Sequence, residues 1–463
     1  VLVAFGSFAE TATCNETYNI SARRSSSPPS SFAVRFMNDL KLPTPREDQE
    51  SWARSEVVSY CARRVLPVDE PPLEHGCVVV RGDRILAVGP TAIVAEGRRV
   101  DFGDAVITPG FVNAHAHLEF SLLRKPLGEA GLPFADWILE VLEYRRSPEF
   151  DPAAATLAGL KESVEHGVTT IGDIASCVPD LLFETPPGVI DVTSFVELIG
   201  LSEARAASQM RRLDELKAPN VGTSSIRRGI SPHAPYTVRG NLFEAAVRAS
   251  KRLHMPLALH LAESREELRL LDTHDGPLAD YLGKLGAWDD AAIPRGTRPL
   301  NYLRVLQTAS RSLIVHGNYL QDDEIDFIAA NSERMAVVYC PRTHAYFEHA
   351  THPLPTLLER GAVVALGTDG RCTNPDLDLR AELRHVAEAF PMLTPEVILQ
   401  LGTLNGARAL GLSRECGSLS PGKRADFLVF AEDARELDAS AVVACGDSPL
   451  AAVYYRGRSL AAE

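Results

Sequence analysis

Pro109-Gly110-Phe111-Val112-Asn113-Ala114-His115-Ala116-His117-Leu118-Glu119 is an apolar run that ends in two histidines one residue apart. In an extended segment, residues two apart point to the same side, so both imidazoles can face one ion. The run belongs to the first of eight short apolar segments, at 105–112, 168–173, 189–198, 226–231, 257–260, 312–316, 335–340 and 363–367. Amphipathic stretches separate most of them, for example at 153–165, 242–253, 323–330 and 379–389. Strands alternating with helices over about 300 residues predict a parallel α/β fold, and a closed (β/α)8 TIM-like barrel fits the length. An open doubly wound sheet is the rival, but no Gly-x-Gly-x-x-Gly follows the first strand.

Outside this middle, 56–62, 77–80 and 85–88 have strand composition, and Gly82-Asp83 supplies a tight hairpin between the last two. Residues 426–430 and 452–457 are strand-like again. This predicts a small β-sandwich domain formed by both chain ends, with two unrelated β extensions as the alternative. The expected division is a disordered or extraneous leader at 1–54, sandwich parts at 55–105 and 415–463, and a catalytic barrel at 106–414. In the leader, the apolar residues 1–8 and the Asn-x-Ser/Thr triplets at Asn15 and Asn19 would suit a secretory reading, against which the stretch is short and has no preceding basic region, and 25–31 is Ser/Pro-rich.

Of the 463 residues, 45% are hydrophobic and 23% charged, which is globular composition. The net charge of −14 argues against nucleic acid or an anionic membrane as partner, and no apolar run approaches the ~20 residues of a membrane span. The eight cysteines form no Cys-x-x-Cys pair, so reduced thiols in a cytoplasm are expected. A small molecule is the expected partner, with a homodimer left open.

Polar residues recur at the C-terminal ends of the segments, the face on which barrel enzymes build their sites. His233 follows the fourth in Ser231-Pro232-His233-Ala234-Pro235-Tyr236, and His260 ends the fifth in His260-Leu261-Ala262-Glu263. His316 ends the sixth, and Asp369 the eighth in Leu366-Gly367-Thr368-Asp369. His115, His117, His260 and Asp369 make a four-ligand set of imidazole and carboxylate, suited to one divalent metal, zinc or iron(II). Such a metal lowers the pKa of a bound water toward neutrality. Glu263 is placed to move a proton to a leaving amine, and His316 to orient the nucleophile. Alone, each has a plainer reading: Asp369 before Gly370 as a turn, Glu263 as a solvated helix start, His260 as a core histidine. Their order along successive strands carries the metal reading. His344, His349 and His352, after the seventh segment, are read either as pocket or as loop.

These stretches resemble the amidohydrolase superfamily: the Pro109–Leu118 run, His260-Leu261-Ala262-Glu263, His316-Gly317, Leu366-Gly367-Thr368-Asp369, and the run from Gly417 through Pro421-Gly422-Lys423-Arg424-Ala425-Asp426. The resemblance spans about residues 55–460 and is to the branch of mononuclear deaminases and triazine chlorohydrolases. It implies a barrel with a β-sandwich from both ends. It also implies metal ligands at His115, His117, His260 and Asp369, with catalytic roles for Glu263, His316 and Asp369. Within the branch, His117-Leu118-Glu119-Phe120-Ser121 with Trp137 downstream is most like the deaminases of aminodeoxyfutalosine, which serve menaquinone synthesis. Glu119, His233, Arg342 and Asn374 are expected to touch substrate. Gly370 stands where the family usually has Ser. The carboxylated lysine of two-metal relatives has no counterpart, since Lys217 and Lys251 are the only lysines between 162 and 283. The expected reaction is deamination of an amino-substituted purine-like base. Hydrolytic dehalogenation and a non-catalytic metal-binding paralogue are the alternatives.

Overall fold

The computed structural model describes residues 56–177, 180–184, 188–216, 225–431 and 438–460. The leader at 1–54, Lys217 and the last three residues lie outside them. Among the described residues no helix is long and apolar enough to cross a membrane.

Strands β1 (Val57–Val65), β2 (Leu73–Arg81), β3 (Arg84–Pro90), β4 (Arg98–Asp101) and β5 (Ala105–Pro109) come first. The barrel strands follow: β6 (Phe111–Ala116), β7 (Val168–Ala175), β8 (Asp191–Leu198), β9 (Ile226–Pro232), β10 (Pro256–Leu261), β11 (Arg311–His316), β12 (Met335–Tyr339) and β13 (Val363–Leu366). They pair in sequence order, all parallel. A parallel bridge from Ala116 to Asp369 brings the last strand back to the first. Gly367 permits that approach, since a Cβ there would sit 2.7 Å from the His115 carbonyl oxygen. Val112, Ala114, Ile174, Phe195, Ala258, Leu313, Val315, Ala336, Val338 and Ala365 fill the lumen as one apolar cluster. A larger cluster packs strands against the surrounding helices.

The two chain ends build one further sheet. β14 (Phe427–Ala431), β15 (Leu450–Tyr455) and β16 (Arg458–Ser459) continue it in the order β16-β15-β14-β5-β1-β2-β3, with β4 also on β1. Gly82 takes φ +61° in the β2–β3 turn, as its hairpin reading requires. Strand β4, with its exposed arginines, gave no apolar signal in the sequence.

The expected single strand at 105–112 is corrected to two. β5 pairs with β14 and β1 in the end sheet, and β6 begins the barrel at Phe111. Gly110 is the hinge. Its N–H donates to the Asp426 carbonyl at 3.0 Å, and a Cβ there would lie 2.1 Å from Thr169 Oγ1. Gly110→Ala is therefore expected to cost about 1–3 kcal/mol through overpacking, read as a lowered denaturant midpoint; a midpoint within error of wild type would remove this role.

The expectation of reduced thiols also needs correction. Cys61, Cys77, Cys340, Cys372, Cys416 and Cys445 are free, but Cys177 is disulfide-bonded.

Candidate active site

A bulge sets up the first two histidines. Between Asn113 and Ala116, β6 carries one residue more than β7 opposite. Ala114 points into the lumen with Val112, and the extra residue re-aims His115 and His117 toward the same axis. The Asn113 side chain holds the bulge: it accepts from the His115 and Thr368 N–H groups at 3.3 and 3.2 Å and donates to Thr368 Oγ1 at 2.8 Å. On β10, His260 lies two residues beyond the lumen residue Ala258 and so points the same way. Asp369 enters from beyond β13, with its N–H on the His115 carbonyl at 3.1 Å and its carbonyl accepting from His117 N–H at 3.2 Å.

The four predicted ligand groups converge. Nε2 of His115 and of His117 lie 3.5 and 3.6 Å from Asp369 Oδ1, and His117 Nε2 lies 3.2 Å from His260 Nε2. Groups bound to one zinc at about 2.0–2.1 Å stand roughly 3.3 Å apart in a tetrahedral shell. His260 Nδ1 bonds the His233 carbonyl at 2.8 Å, which leaves Nε2 aimed at the others. His115 Nε2 is buried without a hydrogen-bond partner, as a nitrogen lone pair reserved for a metal would be. Burial lowers His117 to about 3 and His260 well below its ordinary range, so both are neutral ligands. Burial works to raise Asp369, but the His115 ring beside it and the neighbouring histidines carry it below the usual carboxylate range. The residues fit a divalent metal.

Glu263 and His316 complete the centre, with Glu263 Oε1 3.3 Å from His316 Nε2. Glu263 is not a solvated helix start. It is 6% exposed and precedes Ser264, the N-cap of the helix Arg265–Thr273. The Glu267 carboxylate accepts from the N–H groups of Ala262 and Glu263 at 3.0 and 2.8 Å, and Asn318 Nδ2 donates to the Glu263 carbonyl at 2.9 Å. Burial holds the Glu263 carboxyl well above its usual range, with Asp369 and Glu267 adding to the effect. Ala262, His316 and Asp369 have φ of +55°, +70° and +56°. Such strain at non-glycine residues clusters at functional sites. Here it is held by surrounding bonds, including His352 Nε2 on the His316 carbonyl at 3.0 Å.

Of the expected substrate contacts, His233 is brought to the centre. Its ring centroid is 4.9 Å from that of His260, and its Nδ1 pairs with Thr237 Oγ1 at 2.7 Å. Glu119 is buried after β6, takes the Cys177 N–H, and faces Arg145 at 3.9 Å. Arg342 and Asn374 are engaged within the protein. The Arg342 guanidinium is committed to Glu382 at 2.6 Å and Asp376 at 2.7 Å. Asn374 is fully buried and spends its amide on the Thr368 carbonyl and on Glu382. Both brace the Asp369 loop. Of the later histidines, His352 stacks on Tyr339 at 3.9 Å, His344 bonds the Ala350 carbonyl at 2.8 Å, and His349 pairs with Tyr319 at 3.0 Å. Gly370 has a steric reason: a Cβ there would meet Cys372 Sγ at 3.0 Å and His117 Cβ at 3.2 Å. Lys251 is exposed on the helix Gly240–Leu253, away from any bridging position.

The sequence reading missed a second polar layer at the same mouth. Asp173 on β7 accepts from the Leu118 N–H at 3.1 Å, and burial raises its carboxyl to about 8. Ser176 Oγ donates to Glu197 Oε2 at 2.5 Å, and Arg145 donates to Ser176 Oγ at 3.2 Å. Glu197 is the penultimate residue of β8, in Val196-Glu197-Leu198. The strand-end rule that identified His233 applies to it equally.

Comparison with known proteins agrees with this geometry. Residues 106–457 match the amidohydrolase family. A 5-methylthioadenosine/S-adenosylhomocysteine deaminase of Moorella thermoacetica is 29% identical over 379 residues, 79% of this chain and 83% of that one. An adenosine deaminase of Xanthomonas campestris with bound zinc superposes with TM-score 0.68 at 26% identity, over 87% of this chain and 92% of that one. Helicobacter pylori aminofutalosine deaminase shares the fold, with TM-score 0.73 at 22% identity over 87% and 99% of the two chains.

Proposed function

The chain belongs to the amidohydrolase family, and from that premise we propose that it is a zinc-dependent deaminase of adenine-like nucleosides. One observation carries the reading: His115, His117, His260 and Asp369 converge beside a buried Glu263 that faces His316. When bound, the metal supplies Lewis acidity that lowers the pKa of a water toward neutrality. His115, His117, His260 and Asp369 would hold it.

The remaining steps belong to the chain. Glu263 delivers its proton to the ring nitrogen beside the amine-bearing carbon, takes up the proton released from water, and passes it to the departing amine. His316, 3.3 Å from Glu263, orients the attacking oxygen. His233 and Glu119 contact the substrate from the β6 and β9 side of the mouth. A buried carboxyl raised above its usual range favours an amine leaving group, which needs a proton, over chloride, which does not.

The test is ammonia release from a panel of adenosine, 5-methylthioadenosine, S-adenosylhomocysteine, aminodeoxyfutalosine and guanine, with zinc and with iron(II). Turnover of at least one adenine nucleoside, dependent on metal, is expected. Chloride release from chlorotriazines without ammonia from any panel member would overturn the reading.

A further inference from the structure

The lumen layers of the barrel place Glu197 in the substrate's path. Ile174 and Phe195 belong to the lumen cluster, and two residues further along each strand are Ser176 and Glu197, on the same faces. The next layer toward the mouth thus contains Ser176, Glu197 and His260. Glu197 interacts electrostatically with His117 and His233, which places its charge at the metal-facing end of the mouth.

This carboxylate is 5% exposed, and among the described residues its side chain accepts one hydrogen bond, from Ser176. An ionised carboxylate has about four acceptor sites, and buried polar groups are satisfied as a rule. The spare capacity faces the place where substrate binds. Glu119 and Glu197 lie on this wall with Arg145, whose guanidinium is shared between Ser176 and Glu119. Arg212 donates to the Glu197 backbone carbonyl at 3.2 Å from the outer helix Glu203–Glu215 and adds its charge behind the carboxylate.

We propose that Glu197 is a specificity-determining residue that accepts a hydrogen bond from a hydroxyl or amino donor of the bound nucleoside and disfavours nucleosides whose substituent carries a carboxylate. This rests on the nucleoside deaminase reading and narrows it to neutral, hydroxyl-bearing adenine nucleosides.

The experiment compares 5-methylthioadenosine with aminodeoxyfutalosine, neutral against carboxylate-bearing, on the metal-loaded full chain as wild type, Glu197→Gln and Glu197→Arg. Wild type is expected to favour the neutral nucleoside in kcat/KM by about tenfold or more. Glu197→Gln should shrink that ratio about tenfold, and Glu197→Arg should reverse it, with metal content unchanged. Kd is measured alongside turnover, on a Glu263→Gln background, so that charge selection is read even where chemistry is absent. A ratio of Kd unaltered by Glu197→Gln, or a wild-type preference for the carboxylate, overturns the proposal. Absence of ammonia from any nucleoside, with the Kd ratio still shifted by Glu197→Gln, overturns the deaminase reading and sustains the role of Glu197.

Discussion

Glu263→Gln is expected to lower kcat by about 10²–10⁴-fold, the usual contribution of a positioned acid–base group, while metal content stays at the wild-type level. The substitution is nearly isosteric. The backbone at 263 is held by Glu267 and Asn318 regardless of the side chain, and Glu263 is not among the convergent ligand atoms. What is lost is a proton that can leave. Burial keeps the carboxyl protonated above the usual carboxylate range, so the wild-type rate should fall as pH rises through that elevated value. The Gln variant should lack this basic limb. Ammonia release across pH, with metal content by elemental analysis, checks both. More than a tenth of wild-type turnover from a fully metallated Gln variant would sink the role.

The ligand set was legible because each ligand sits at a strand end, and a strand end is visible as the edge of an apolar run. His260 and Asp369 are separated by more than a hundred residues, yet the alternation of strands and helices places both at one mouth. The bulge that aims His115 and His117 was not legible. Period-2 reasoning puts His115 on the face opposite Ala114, and the extra residue between Asn113 and Ala116 overrides it. The break at Gly110 was hidden for a related reason. Residues 105–112 are uniformly apolar since both halves are buried, one in each sheet, and hydrophobicity does not say in which.

The partners of Arg342 and Asn374 were hidden for a different physical reason. A polar residue after a barrel strand has two uses: reaching inward to substrate, or bracing the loop that does. Glu382 decides between them at Arg342, and it lies forty residues on, in the helix Leu379–Ala389. No local pattern announces such a partner. Glu197 is the converse case, a strand-end carboxylate passed over within a β-branched run, although its position obeys the same rule as the ligands.

The second large effect falls at the opposite end of the barrel. Asp191 is the first residue of β8 and fully buried. It receives Arg424 at 2.8 Å, Tyr455 at 3.2 Å and Arg456 at 3.3 Å, all from the end sheet and its approach. Asp426 shares Arg424 at 3.0 Å and accepts the Arg456 N–H at 2.8 Å. Two arginines thus dock the C-terminal strands onto the barrel floor through one carboxylate. Removing one member of a buried ion network leaves the others uncompensated and typically costs about 3–5 kcal/mol. Asp191→Ala is expected to destabilise the fold by that amount, seen as a lower denaturant midpoint. Because Asp191 and Glu197 mark opposite ends of one strand, kcat and metal content of the folded fraction should stay near wild type. Conservative Asp191→Asn should recover part of the loss through the Tyr455 hydroxyl. A midpoint shift worth less than about 1 kcal/mol, the range of an exposed pair, would mean that apolar packing around Phe427 and Phe430 holds the two sheets together and that the arginines merely accompany it.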